Sequence, residues 1–266
     1  MLLHFRHPLS PRGVARFALP DALWTWVWQG LVATSVALVL VVSAKRNICP
    51  VISTASQNLL DGPKAGDFGV GRLSIAGSNS FQLASNSYFG IAWAEGSPAA
   101  VGQTADIQWI FLTNRTVISG LFGSLETPYP TLPPFSFTRI DAIAAWGAWE
   151  GAVLLGVGVV AWAALVISWW VLATVYSLPY WACTRIAGAA ISLLESWRVC
   201  AGALLTGALW MTMALISYSL GWIRVPVFLV LAGLHFLIPW VVLLAAVPHL
   251  NPRELTSDDA LDEDPK

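Results

Sequence analysis

Charge is almost absent from residues 142–246, a stretch long enough for three membrane-spanning helices of about 20 residues each. One further apolar segment of sufficient length, residues 22–44, precedes it. Between the two lie roughly 95 polar residues, far more than a turn between packed elements needs. The pattern predicts an integral membrane protein with four spans and a polar domain between the first and the second.

The overall composition agrees with a lipid environment. Charged residues make up 11% of the chain and apolar residues 56%, whereas an average soluble domain is about 25% charged. A soluble protein with so few charges would expose large apolar patches to water. Lysine and arginine are scattered and form no basic stripe, so we expect the lipid bilayer and not a nucleic acid as partner.

The first 17 residues are basic. They hold Arg6, Arg12 and Arg16 and no acidic residue, directly before the first apolar segment. Positive charge beside a span favours the cytoplasmic side. With an even number of spans, both termini are predicted to be cytoplasmic and the polar domain to be exported.

The first apolar segment has a competing interpretation as a secretory signal peptide. Val42, Ser43 and Ala44 resemble a small-residue cleavage site, which would place cleavage after Ala44. Trp24 and Trp26 at the entry make the segment long for a signal core and suit the headgroup layer of a membrane. A retained span is therefore preferred, and either interpretation exports the region that follows.

The exported region, residues 45–140, is rich in Gly, Ser, Asn and Pro. Within it, Phe89–Ala94 and Ile107–Phe111 alternate large apolar residues with small or polar ones, which is typical of half-buried strands. Weaker strand patterns follow at 116–119 and occur at 73–75 and 81–84. We predict a small, mostly β extracytoplasmic domain that ends in a proline-rich connector at 127–134.

The predicted fold class is a membrane all-α bundle of four transmembrane helices plus an interfacial amphipathic helix, with the β domain inserted between helices 1 and 2. Pro179 is expected to end the second span, and residues 183–198 place apolar and polar residues on opposite helix faces, as interfacial helices do. The last two spans are joined by a four-residue turn and must be antiparallel neighbours. The predicted segments are the basic N-terminus 1–21, spans 22–44, 141–178, 199–220 and 225–247, the exported domain 45–140, the interfacial segment 179–198, and a disordered acidic cytoplasmic tail 248–266.

Three stretches resemble the domain-of-unknown-function family 1189, bacterial integral membrane proteins of the Yip-type superfamily. They are residues 10–17 (SPRGVARF), residues 192–199 (SLLESWRV) and residues 246–249 (AVPH). The excursion of weak strands after the first span is similar in place and length, whereas its tryptophan content departs from the family. The resemblance covers nearly the whole chain, and it implies a fold and a topology but no chemistry.

Four residues stand out as functional candidates. His235 lies within the fourth span, where an ionisable group is costly, although a neutral imidazole that donates to a carbonyl freed by Pro239 is the preferred interpretation. Glu150 lies near the outer end of the second span. Trp197 and Arg198 precede the third span and read as a headgroup anchor, with a partner-docking surface as the alternative.

Small residues also recur at a spacing of four in the second span. Gly147 and Gly151, and then Ala152 and Gly156, would let two helix backbones approach closely. Internal packing is the preferred interpretation, and dimerisation the alternative.

The three cysteines form an odd set in which no intrachain disulfide is expected. Cys49 stands alone in the exported region. Cys183 and Cys200 are interpreted as small, buried apolar residues.

The exported domain offers little for catalysis. It contains no histidine, which excludes a histidine-liganded zinc site or a Ser–His–Asp triad confined to it. Its acidic residues read as ordinary surface charges; they are Asp61, Asp67, Glu95, Asp106 and Glu126. No catalytic residue, metal ligand or cofactor is therefore predicted.

These patterns favour a non-enzymatic accessory or interaction component of the bacterial cell envelope, held in the inner membrane as a multi-pass protein. Its expected partner is another membrane protein or a second copy of the chain. The alternative is a small-solute transporter or channel subunit that works through a bundle lined by His235 and Glu150.

Overall fold

The computed structural model describes residues 9–19, 22–59, 65–75, 80–189 and 191–250. They divide into two compact units. The helical unit comprises Met1–Leu40 and Gly158–Lys266, and the β-rich unit comprises Val41–Val157. Arg6 and the acidic tail from residue 251 onward lie outside the described residues.

The described residues form seven α-helices and eight strands. The helices are α1 (Pro11–Ala15), α2 (Ala22–Asn47), α3 (Cys49–Gln57), α4 (Arg139–Ile186), α5 (Leu193–Ser219), α6 (Val225–Leu234) and α7 (Leu237–Ala246). The strands are β1 (Gly66–Gly69), β2 (Arg72–Ile75), β3 (Ser80–Ser85), β4 (Phe89–Ala94), β5 (Ile107–Phe111), β6 (Arg115–Gly120), β7 (Gly123–Pro128) and β8 (Phe135–Phe137). Short 3₁₀ turns lie at Arg16–Ala18, Pro98–Ala100 and Val247–Leu250.

Four helical stretches are long and apolar enough to cross a membrane, and the β-rich region lies between the first and the second, as expected. They are Leu23–Gln57, Arg139–Ile186, Leu193–Ser219 and Val225–Leu250. In Arg139–Ile186, none of the residues in the most apolar 18-residue stretch is buried within the protein. At 1.5 Å per residue, its 48 residues span about 72 Å.

The N-terminal segment is a packed part of the helical unit. Ser10 caps α1 by accepting a hydrogen bond from the Gly13 amide. Phe17 in the following 3₁₀ turn is almost fully buried, and it lies against α5 so closely that a Cβ on Gly202 would come within 2.7 Å of its ring. The sequence patterns had indicated only a basic terminus here, because a five-residue helix is too short to give a periodic signal.

The prediction of a separate helix at 183–198 is wrong. Helix α4 continues to Ile186, and Gly188, at φ +81°, ends it in a left-handed turn that places the Ala189 amide 2.9 Å from the Thr184 carbonyl. Ser192 then starts α5 through a capping box with Glu195, each side chain bonding the other residue's backbone N–H. These two helix-end signals divide the amphipathic stretch between two long helices.

The expected helix end at Pro179 is also wrong. Proline removes one backbone donor and crowds the preceding turn. Nevertheless α4 passes through Pro179, and its neighbours Ser177 and Tyr180 are both buried in the helical unit. Tertiary packing on both sides of the proline holds the helix together despite the lost hydrogen bond.

The last apolar segment is not one continuous helix either. Helix α6 ends at Leu234, His235 and Phe236 form a turn, and α7 begins at Leu237. Because Pro239 has no N–H, it cannot bond the carbonyl four residues before it, which belongs to His235. The interruption thus falls where the missing hydrogen bond would have been.

The β-rich unit contains two sheets. One has the order β3-β4-β5-β6-β7, with β4 and β5 parallel and the other pairs antiparallel. The other has the antiparallel order β2-β1-β8. The predicted strands are all present, and β1, β7 and β8 are additional.

The burial of two strands differs from the expected alternation. All six residues of β4 are buried, because this central strand is covered on both faces. On β5 the fully covered residues are Gln108 and Ile110. Gln108 tolerates burial because its side chain donates to Gln82 at 3.2 Å and accepts from the Thr104 amide at 3.1 Å.

Helix α3 at the start of the β-rich unit was not anticipated. Pro50 occupies its first turn, where proline needs no hydrogen-bond partner. Ile52, Ala55, Ser56 and Leu59 share one face at helical spacing. That pattern was available in the sequence, but it is only nine residues long.

Two smaller expectations are also corrected. A Cβ on Gly147, Gly151 or Gly156 would meet no atom within 4 Å, so these glycines do not pack against another described helix of this chain. All three cysteines are free, as expected, and Cys200 is buried, but Cys183 is exposed.

Candidate functional site

His235 lies at the break between α6 and α7. Its Nδ1 is hydrogen-bonded to the carbonyl oxygen of Ala232, within its own helix turn. The His235 carbonyl, which Pro239 leaves without a helical donor, lies against Gly207 of α5. The imidazole therefore bonds a carbonyl of the preceding helix, not the one that the proline frees.

A small cavity adjoins this break inside the helical unit. Its volume is about 70 Å³, and its lining includes Val36, Trp169, Met211, His235 and Phe236. The cavity therefore has room for a few water molecules and is far smaller than a site for a drug-sized ligand. Apart from the imidazole, these lining side chains are apolar.

Glu150 is placed in the β-rich unit, whereas His235 belongs to the helical unit. The Glu150 carboxylate forms an ion pair with the ammonium of Lys45, near the end of α2. The pair joins α2 and α4 at their entry into the β-rich unit. In this pair each charge offsets the other.

Trp197 and Arg198 make intramolecular contacts at the start of α5. The Trp197 indole N–H donates to the hydroxyl of Thr174 on α4 at 3.1 Å. The Arg198 guanidinium donates to the Leu19 carbonyl at 3.5 Å. Both residues thus tie α5 to neighbouring parts of the helical unit.

The β-rich unit has an apolar concavity that the sequence patterns did not indicate. It is a groove of about 390 Å³, within the size range of small-molecule sites. Helix α3 supplies Ile52, Ala55 and Ser56, and the first turns of α4 supply Ala142 and Trp146. The sheets supply the remaining wall, which includes Leu73, Ile75, Leu83, Ile91, Trp109 and Phe111.

The floor of this apolar groove is part of the core of the β-rich unit. Leu73, Ile75 and Ile91 are buried members of the core of the β-rich unit. Trp109 and Phe111 are half-buried and stack with ring centroids 5.0 Å apart. These two rings are the apolar side chains of β5 that the sequence pattern placed in the core, and here they form a wall.

A second, larger cleft of about 610 Å³ lies over the smaller sheet. It is polar in part, with Asp67, Arg72 and Ser136 among its lining residues. The Ser136 hydroxyl donates to the Asp67 carboxylate across the β1–β8 pair.

Two further acidic side chains of the β-rich unit make separate structural contacts. Glu126 pairs with Arg115 at 3.0 Å across β6 and β7. Asp141 accepts from the Thr138 amide at 2.8 Å, which caps the start of α4. These carboxylates are thus not gathered into an acid–base pair.

Tyr129 is the titratable group of the β-rich unit whose pKa is most displaced. Its hydroxyl donates to the Leu112 carbonyl at 2.9 Å. Burial raises the pKa of the phenol to about 12, because the charged phenolate would lose its water. The residue holds the connector after β7 against the larger sheet.

Among the described residues, no group of three or more His, Cys, Asp or Glu side chains is placed to hold a metal ion. No protein-family model, no curated protein and no solved structure matches the chain. The resemblance to the domain-of-unknown-function family 1189 stays a prediction.

Proposed function

We propose that the chain is a multi-pass protein of the bacterial inner membrane that presents its β-rich unit outside the cytoplasm as a non-enzymatic accessory or interaction module. The observation that carries the proposal is the exposed apolar surface of α4. In water, such a surface would be unstable or would drive aggregation. A bilayer covers it without requiring any further contact within the chain.

The distribution of basic residues supports an orientation with both termini inside. Helix α1 and the turn after it pack against α5 and α7, at the end of the helical unit where α5 begins and α7 ends. Arg12, Arg16 and Arg198 belong to this end, and positive charge favours the cytoplasmic side. A single crossing by α2 then exports the β-rich unit.

The helices α2 and α4 connect the β-rich unit to the helical unit in the chain. Residues of α2 and of α4 belong to both units, because the unit boundaries fall within these two helices. Within the β-rich unit, the Lys45–Glu150 pair joins the two helices.

Two experiments test the location. After alkaline extraction of membranes, the chain should remain in the pellet. In a variant without native cysteines, an impermeant maleimide should label Phe122→Cys in intact cells and Ile186→Cys only after permeabilisation. The two positions form a matched pair because both side chains are 88% exposed. The reverse labelling would refute the orientation.

The accessory role predicts a partner that depends on the β-rich unit. Crosslinking in native membranes, followed by mass spectrometry, should give a reproducible partner that is lost when residues 66–137 are deleted. The partner should be retained in His235→Ala. Crosslinks only between copies of the chain would indicate a homo-oligomer instead.

A transporter or channel subunit is the second candidate, and the helix break at His235 favours it. Interrupted helices near a polar side chain are a feature of transport sites. This function predicts that His235→Ala abolishes a solute flux at unchanged expression. A flux that survives the substitution would remove the candidate.

A further inference from the structure

We propose that the apolar groove of the β-rich unit binds an acyl chain of a bilayer phospholipid. The inference rests on the proposed membrane location, since only a chain at the membrane surface meets such lipids. It goes beyond that location by naming a ligand and a site. The groove lies wholly within the β-rich unit.

The lining of the groove selects hydrocarbon over a polar ligand. Its side chains are aliphatic or aromatic except for Ser56, whose hydroxyl donates to the Ser53 carbonyl at 2.8 Å. An extended peptide would bring backbone N–H and C=O groups that need partners once buried. The polar side-chain groups in the wall are the Ser56 hydroxyl and the indole N–H groups of Trp109 and Trp146, too few for a peptide backbone, whereas the hydrocarbon of an acyl chain needs none.

The groove is continuous with an exposed apolar helix surface. Ala142 and Trp146 form one wall and lie four residues apart on α4. Along the same helix within the unit, Trp149 and Val153 are 65% and 44% exposed. Under the proposed function this surface leads towards the bilayer, so a chain can enter the groove without crossing water.

Trp146 adds a polar feature to that wall. Its indole N–H is buried and has no hydrogen-bond partner among the described residues. A buried donor without an acceptor is costly, and such donors normally have one. Because water does not reach this N–H, the Trp146 ring would have to rotate before a lipid ester oxygen could accept a hydrogen bond from it.

The test uses the purified full chain in phosphatidylethanolamine–phosphatidylglycerol vesicles that contain a phospholipid with a diazirine in its acyl chain. Illumination and peptide mass spectrometry then locate the labelled residues. Ile52→Trp and Ala142→Phe fill the groove from two different walls. Thr54→Trp and Ala144→Phe are matched controls, because these side chains are exposed on the same two helices and do not line the groove.

The expected result is labelling at the apolar stretches of the long helices and at groove residues 52–59 and 107–111. Each excluded methylene lowers affinity about fourfold, so filling the space of two should reduce groove labelling roughly tenfold or more. The controls should label as the unsubstituted protein does. Circular dichroism of each variant shows that the fold is kept, and the second filling variant replaces one that fails to fold.

Three results would overturn the inference. Labelled helices with an unlabelled groove would leave the membrane location standing and remove the lipid site. If neither filling variant reduces the labelling of the groove, the acyl chain touches the surface of the unit but does not occupy the groove. Labelling by a diazirine fatty acid but not by the phospholipid would reject the bilayer as the source. Absence of labelling everywhere, with a control membrane protein labelled in the same vesicles, would refute the proposed function itself.

Discussion

Gly207 in α5 is the position where one added methyl group should most clearly disturb the helical unit. A Cβ there would lie 2.7 Å from the His235 carbonyl oxygen and 2.9 Å from Cγ of Pro239. To reach the 3.4 Å of an ordinary contact, the oxygen would have to retreat by about 0.7 Å. Both neighbours resist, since one is backbone and the other is a proline ring.

Two opposing effects set the magnitude for Gly207→Ala. Overpacking a close contact costs about 1–3 kcal/mol. Replacing a helical glycine by alanine stabilises the folded state by about 0.5–1 kcal/mol, because glycine loses more conformational entropy on folding. We therefore expect a net destabilisation of about 1 kcal/mol, reaching about 2 kcal/mol if the helices cannot shift.

Gly233→Ala is the matched control. Gly233 lies in α6 of the same unit, and a Cβ there would meet nothing within 4 Å. This variant should be neutral or slightly stabilised. The difference between the two variants then isolates the overpacking cost, about 1–3 kcal/mol.

The assay is reversible unfolding of the detergent-solubilised protein by sodium dodecyl sulphate, followed by far-UV circular dichroism. Gly207→Ala should unfold at a lower dodecyl sulphate fraction than Gly233→Ala. Equal unfolding midpoints would refute the close approach of α5 to the helix break.

Three further predictions concern other parts of the chain, and the same unfolding assay checks them. Phe17→Ala removes an almost fully buried ring and should cost about 3–5 kcal/mol, whereas Leu9→Ala, at an exposed position, should stay within about 0.5 kcal/mol. Equal losses would contradict the packed N-terminal segment. Ser192→Ala removes the cap of α5 and should cost about 0.5–2 kcal/mol, with Ser192→Asp as the control that keeps an acceptor. The pKa of Tyr129 is raised from 10.0 to about 12 in the folded protein, so its stabilising contribution is complete below pH 10 and is lost as the pH rises towards 12. Between pH 10 and pH 12, the free energy of unfolding should fall less in Tyr129→Phe than in the unsubstituted protein. Identical pH profiles of the two proteins would show that Tyr129 does not cause the loss.

The distribution of long apolar stretches along the chain predicted the coarse fold well. Apolar stretches of 20 residues or more are a strong signal, because a helix of that length and composition matches the hydrocarbon thickness of a bilayer. The period-two patterns at β4 and β5 identified strands correctly. Which face each strand buries was missed, because Gln108 becomes a core residue only through its partners Gln82 and Thr104.

Helix ends were predictable in principle but were misread. Ser192 and Glu195 have the spacing of a capping box, and Gly188 suits a left-handed helix end. The amphipathic pattern over 183–198 predicts one helix and conflicts with these local signals. Pro179 shows the opposite error, because a strong local signal was overridden by packing around α4.

For the functional candidates, the sequence shows the residue types but not the residues that contact them in the structure. The sequence identifies His235 as a costly residue in an apolar segment, yet its acceptor Ala232 and its contact with Gly207 arise from the helix break. The apolar groove draws its walls from α3, both sheets and α4, which are up to roughly 90 residues apart. No local pattern reports such a convergence.

The sequence by itself determined the four long apolar segments and the position of the β-rich region between the first two, because hydrophobicity and periodicity are properties of neighbouring residues. The tertiary structure alone decided where α4 ends, which face of β5 is covered, and where an apolar groove opens. These features depend on contacts between residues distant in the chain, and their free energies are set by packing and hydrogen-bond partners that no single segment contains.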